Sequence, residues 1–287
     1  MQLFLSTTFN DDQSIGLELI LDKLKGLDID GIELGSTHKH QEQFLEIIKQ
    51  SWKGRVLTHN FFPPCEDADF FVNIASDNKD HRIQSVNFAK NSMQFASTIG
   101  AEIYTIHPGF LANPQQSSTK DSENYDMQFS NDSISKDQAF SNMLESLQTL
   151  LEFGKELNVN LAIETEGSLT KPGICLMETI DEYEELYKSL SDNIKLNLNI
   201  AHTSFAAKTH GFNLGEFIDR YHDWFAAAEI SHNDGFMDEH KPLVSDSYVF
   251  EYINQLPDIP MILEFRNASI DEIKNSIFLM REYQDKS

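Results

Sequence analysis

Short runs of apolar and β-branched residues recur along the chain, separated by longer segments in which apolar positions return every three to four residues. The runs predict eight strands, at residues 3–7, 31–34, 55–59, 102–107, 160–164, 195–199, 226–231 and 261–265. The intervening segments predict helices over 14–27, 41–52, 81–99, 139–157, 180–190, 247–255 and 270–282. Apolar residues at 140, 143, 144, 147, 150, 151 and 157 follow the i, i+3, i+4, i+7 spacing of one helix face. The segment 205–220 is less periodic, and its best helix is 214–221. Strands alternating with helices predict βα units and a parallel sheet. Eight units filling the chain predict one closed (β/α)₈ barrel, a single domain over 1–287.

One stretch breaks the rhythm. Residues 113–136 are rich in Ser, Asn, Gln and Asp and follow the fourth strand. They read as a polar loop insertion, either solvated or a lid over the barrel mouth.

Composition narrows the function. The chain carries 22 Lys and Arg against 46 Asp and Glu, a formal charge of −24. Nucleic-acid binding draws on Lys and Arg to displace counterions, and here the field has the wrong sign. Nucleic acid is therefore not an expected partner. Two cysteines, Cys65 and Cys175, form no CxxC pair or disulfide framework. With no signal-peptide pattern and no apolar run long enough to span a bilayer, a reduced cytoplasmic setting is expected.

The chemistry gathers at strand ends, where a barrel of this kind places its active site. Strand three ends in Thr58-His59-Asn60 and strand four in Ile106-His107-Pro108-Gly109. Strand five ends in Ile163-Glu164-Thr165-Glu166, and strand six in Leu198-Asn199-Ile200-Ala201-His202. Strand seven ends in Ser231-His232-Asn233-Asp234, followed by Asp238-Glu239-His240. Strand eight ends in Leu263-Glu264-Phe265-Arg266. Five histidines and the carboxylates of Glu164, Asp238 and Glu264 would then face one mouth. Imidazole with carboxylate is the ligand mix of zinc, manganese or iron.

These motifs, in this order, resemble the xylose-isomerase-like barrels, a superfamily of sugar and sugar-phosphate isomerases and epimerases that also includes endonuclease IV. The resemblance covers nearly the whole chain. It implies that Glu164, His232 and Glu264 ligate the ion shared by both branches, with Asn199 where an aspartate usually stands. It implies a second ion at His202, Asp238 and His240. His59 and His107, bridged through Glu164, resemble ligands of the nuclease's third zinc. An asparagine brings no charge, and three zinc ions would place +6 against the −3 of Glu164, Asp238 and Glu264. One or two divalent ions, zinc or manganese, are therefore expected rather than three. His59 and His107 are then available for substrate and proton transfer.

Two activities fit. The first is a metal-dependent isomerase or epimerase of a small sugar or sugar phosphate, working through an enediolate. Glu164 and Glu264 are its acid–base pair, with His107 as a further catalytic group and Glu166 in reserve. His59, Lys241 and Arg266 bind substrate, the two cations holding an anionic group. The second is a zinc phosphodiester or phosphoester hydrolase resembling endonuclease IV. A sugar-binding barrel that has lost its chemistry is the non-catalytic reading.

Overall fold

The computed structural model describes residues 1–286 except 11, 13, 67–69, 116–127, 170–172 and 191–193. Eight strands close a parallel barrel: β1 (Gln2–Ser6), β2 (Gly31–Leu34), β3 (Arg55–His59), β4 (Ile103–Ile106), β7 (Asn160–Glu164), β8 (Lys195–Asn199), β9 (Phe225–Ile230) and β10 (Pro260–Leu263). Their order around the barrel follows the chain, and β10 closes onto β1 with Leu3 opposite Met261. Short strands buried along nearly their whole length are what parallel sheets covered by helices require. Two further strands, β5 (Ala112–Gln115) and β6 (Gln128–Ser133), pair antiparallel outside the barrel. They bracket most of the polar insertion. The middle of that insertion, read from the sequence as either a solvated loop or a lid, lies outside the described residues.

The helices are α1 (Leu17–Leu24), α2 (Phe44–Ser51), α3 (Lys79–Ile99), α4 (Lys136–Leu157), α5 (Ile180–Leu190), α6 (Ile200–His210), α7 (Leu214–Tyr221) and α8 (Ile270–Lys286). Two differ from the sequence expectation. Residues 247–255 form two 3₁₀ turns, Tyr248–Glu251 and Ile253–Gln255, rather than one amphipathic helix. Their amide bonds run to the third residue back, as from Tyr252 to Val249 and Leu256 to Ile253, a short form that α-helical periodicity imitates over so few residues. Helix α6 went unpredicted for the opposite reason. All residues from Ile200 to Ala207 are buried, so no polar face marks its period. Among the described residues no helix is long and apolar enough to cross a membrane.

Strand alternation layers the barrel interior. At the bottom Phe4, Leu57, Ile103, Ala162, Ala227 and Ile262 pack as a separate apolar cluster. Phe4 needs Gly31 beside it on β2, because a Cβ there would stand 2.2 Å from the ring. Two residues further along each strand the interior turns polar: Ser6, Glu33, His59, Thr105, Glu164, Asn199, Glu229 and Glu264. A register shift between β8 and β9 sets Asn197 opposite Ala227 and Asn199 opposite Glu229, so both asparagines share this inner face. The main apolar core lies outside the barrel, between strands and helices. Each fully buried Leu, Ile or Phe there contributes roughly 1.5–3 kcal/mol. That reservoir is what allows a layer of buried charge to be held.

Candidate active site at the barrel mouth

Glu164, at the end of β7, is the hub. Its Oε2 lies 2.8 Å from His59 Nε2 on β3 and 3.3 Å from His107 Nδ1 just past β4. Its Oε1 lies 3.1 Å from His202 Nδ1 and accepts a 3.0 Å hydrogen bond from Asn199 Nδ2. Glu166, two residues on, points the same way. Its Oε1 is 2.6 Å from His107 Nδ1 and its Oε2 is 3.6 Å from His202 Nδ1. Gly167 lets this turn sit against α6, since a Cβ there would fall 2.1 Å from the His202 carbonyl oxygen.

The second focus is Asp238. Its Oδ2 is 3.2 Å from His202 Nε2, 2.8 Å from His240 Nε2 and 3.9 Å from Arg266 Nη2. His240 Nδ1 in turn lies 3.0 Å from Glu264 Oε2. Asp238 and His240 do not converge as alternate residues of an extended segment. His240 has φ 47, in the left-handed region that costs a non-glycine residue about 1–3 kcal/mol. It is pinned there by the Arg266 N–H, which donates to the His240 carbonyl, and by the neighbouring His232–Lys241 bridge.

The electrostatics follow from this packing. Burial works against a charge on His59, but the Glu164 hydrogen bond and the Glu33, Glu164 and Glu264 charges outweigh it and lift its pKa to about 9. His240 is likewise raised to about 9: burial opposes, and Asp238 and Glu264 prevail. Burial also opposes charge on His202 and His107, yet Asp238 and Glu164 raise His202, and Glu164 and Glu166 raise His107. The partner carboxylates move the other way despite burial. His107 and the His202 and His59 hydrogen bonds hold Glu164 well below the usual range, and His240 and His202 do so for Asp238. Glu264, facing His240, falls to about 2.

Two buried carboxylates of this layer were not singled out in the sequence. Glu229 on β9 accepts from Asn197 Nδ2 at 2.6 Å and Asn199 Nδ2 at 2.8 Å. Burial, with the charges of Glu164, Glu264 and Glu33, pushes its pKa well up. Glu33 on β2 is fully buried. Burial, only partly offset by His59, raises it to about 7. The signal was available: a lone acid inside a short apolar strand, two residues from a bottom-layer position, shares the face of the strand-end ligands.

Among the described residues, two groups bring ligand atoms within 4.8 Å of one another: His59 with His107 and Glu164, and His202 with Asp238 and His240. Both suit a divalent transition metal in donor type. Within the second group His202 Nε2 and His240 Nε2 converge on Asp238 Oδ2, while the opposite ring nitrogens face Glu164 Oε1 at 3.1 Å and Glu264 Oε2 at 3.0 Å.

The remaining predicted residues are placed differently. Asn199 stands beside Glu164 as expected, but its Oδ1 accepts from the His202 backbone N–H at 3.1 Å, capping α6. Its amino group, not its oxygen, meets the carboxylates. His232 and Glu264 do not join Glu164 in a group of that compactness. His232 Nε2 lies 3.7 Å from Asp234 Oδ1, and its buried Nδ1 makes no hydrogen bond. Lys241 Nζ is clamped between Asp234 at 2.7 Å and Glu239 at 2.6 Å.

Comparison with known proteins gives a consistent picture. The chain is 24% identical over 284 residues to the uncharacterized protein MJ1614 of Methanocaldococcus jannaschii, covering 98% of this chain and 96% of that one. Among solved structures it superposes on a D-tagatose 3-epimerase-like protein with a TM-score of 0.73 and 17% identity, over 99% and 97% of the two chains. It superposes on the IOLI protein, solved with a bound zinc atom, with a TM-score of 0.66 and 16% identity, over 100% and 97%. The sequence pattern of one family matches residues 21–283, nearly the full length, and by that match the chain belongs to the xylose isomerase-like TIM barrel family.

Proposed function

We propose that this protein is a metal-dependent isomerase or epimerase of a small sugar or sugar phosphate, with its active site at the C-terminal mouth of the barrel. The observation that carries the reading is the convergence of Glu164, Glu166 and Glu264 with four imidazoles around two metal-competent groups. Similarity in fold to a D-tagatose 3-epimerase-like protein supports it. A divalent ion bound there would polarise adjacent substrate oxygens and so acidify the carbon between them. His59, His107 and Glu164, and His202, Asp238 and His240, are the residues that would hold it.

The proton chemistry falls to the groups that reach the mouth. Glu164 has a side-chain exposure of 2% and is held by three imidazoles and an amide. It anchors the site more than it moves protons. Glu264, 10% exposed, takes the proton from the substrate carbon. With the ion held by His202, Asp238 and His240, His107, 24% exposed and backed by Glu166, is free to return one. His59 and Arg266 orient substrate hydroxyls. Lys241, already paired twice, contributes to an anionic group only if it leaves Asp234 or Glu239.

A zinc phosphoester hydrolase is the second reading. One observation favours it: the two compact ligand groups are those that resemble the nuclease branch's second and third ions. The deciding experiment incubates the zinc- or manganese-loaded protein in D2O with ketohexoses, aldoses and their phosphates. Deuterium appearing at the carbon next to the carbonyl, and absent with Glu264→Gln, supports isomerisation. Release of nitrophenol from bis(p-nitrophenyl) phosphate with no such exchange supports the hydrolase instead.

A further inference from the structure

We propose that the Asn199 amide occupies the place of a cation, bridging Glu164 and Glu229, so that this chain binds ions at the two compact ligand groups and not at a third position beside Asn199. For where ions do bind, the inference rests on the reading above. For Asn199 itself it rests on geometry alone.

The orientation of an asparagine amide is fixed by its partners. A backbone N–H can only donate, so the atom 3.1 Å from the His202 nitrogen is the amide oxygen. The other end of the side chain is therefore the –NH2 group, and it faces two carboxylates. It donates to Glu164 Oε1 at 3.0 Å and to Glu229 Oε2 at 2.8 Å, using both of its hydrogens. The second oxygen of Glu229 is held by Asn197 Nδ2 at 2.6 Å. Every member is buried: Glu164 1%, Asn199 1%, Glu229 1%, Asn197 0% exposed. Asn199 and Glu229 are direct cross-strand partners. Two carboxyl groups this deep need a metal ion, a proton or hydrogen-bond donors between them. Asn199 supplies the donors.

The resemblance places an aspartate at this position, and Asp caps a helix as well as Asn does. Asn199→Asp therefore keeps the α6 cap and replaces the donor by an anionic oxygen. Three carboxylates then converge on one point, two of their oxygens about 3 Å from the new one, the spacing of oxygens around a shared zinc ion. The substitution should destabilise the metal-free protein and create an ion site.

The test strips the protein with chelator, dialyses it against zinc or manganese, counts ions per chain by elemental analysis and follows thermal melting. The expected count is at most two for the wild-type chain. One more ion is expected for Asn199→Asp, lost again in Asn199→Asp/Glu229→Gln. Metal-free Asn199→Asp should melt several degrees below wild type and recover with zinc. If it folds only with zinc present, the count is made on protein refolded with zinc. Asn199→Ser keeps a capping oxygen for α6, removes the –NH2 group without adding charge and should leave the ion count unchanged. A drop in that count, or a third ion in the wild-type chain, overturns the inference, as does Asn199→Asp with no extra ion. A wild-type chain that binds no ion, beside an Asn199→Asp chain that binds one, sustains this inference and sinks the metal-dependent reading of the function.

Discussion

Glu164 illustrates how one side chain comes to organise a site. Buried and faced by His59, His107, His202 and Asn199, it stays ionised only because those partners outweigh desolvation. Glu164→Gln leaves each imposed partner without its anion. Zinc affinity at the His59–His107 group should fall by more than the roughly 10–100-fold that loss of a supporting residue alone costs; isothermal titration checks this. The imidazoles make a prediction of their own. His59 and His240 titrate near 9 when folded against about 6.5 when unfolded. A raised folded pKa stabilises fully below the unfolded value, and that contribution is lost as pH rises through the folded one. The melting temperature of the metal-free protein should therefore decline between pH 6.5 and 9. Zinc affinity should rise across the same window, because metal displaces those protons. A flat melting profile in chelator would contradict the assigned pairings.

Elements position these residues through backbone approach as much as through side chains. The β7 end and α6 touch at Gly167, and α6 carries His202 on its first turn. Gly167→Ala drives a methyl into the His202 carbonyl, an overpacking that costs about 1–3 kcal/mol. The melting temperature should drop, and zinc at the His202–Asp238–His240 group should be lost before zinc at the His59 group. At this scale much was legible in advance. All eight barrel strands were readable, because short β-branched runs bounded by polar turns have few other fates in an α/β chain. The α6 segment was not, because burial on every side erases the polar period that marks a helix. The turns at 247–255 were not either, because nine residues are too few to separate a 3.6 period from a 3.0 one.

At the scale of the whole molecule, net charge dominates, joined on the proposed reading by ion binding. With 46 acids against 22 bases, long-range repulsion works against any polyanion. Fluorescence anisotropy with an abasic duplex at 0.1 M salt should show no saturable binding in the micromolar range. Ion binding acts on the fold as a whole through mass action. Zinc at 100 times its dissociation constant adds about 2.7 kcal/mol per site. Chelator should accordingly lower the melting temperature by several degrees, and zinc should restore it.

The sequence alone determined the fold class and the histidines and carboxylates at the strand ends, because both are written in local pattern: a period of two or 3.6, and the residue that follows each apolar run. It also determined the sign of the field that any partner meets. Which ligands meet was a matter of tertiary structure. His202 reaches Asp238 and His240 only because α6 starts at once after β8 and His240 adopts a left-handed turn. Glu33 and Glu229 join the site only because the barrel closes and aims alternate residues inward. The orientation of the Asn199 amide depends on a helix start that periodicity concealed. The physical reason is the same in each case: a ligand shell is set by directions in space among residues far apart in the chain, and those directions exist only once the barrel has closed.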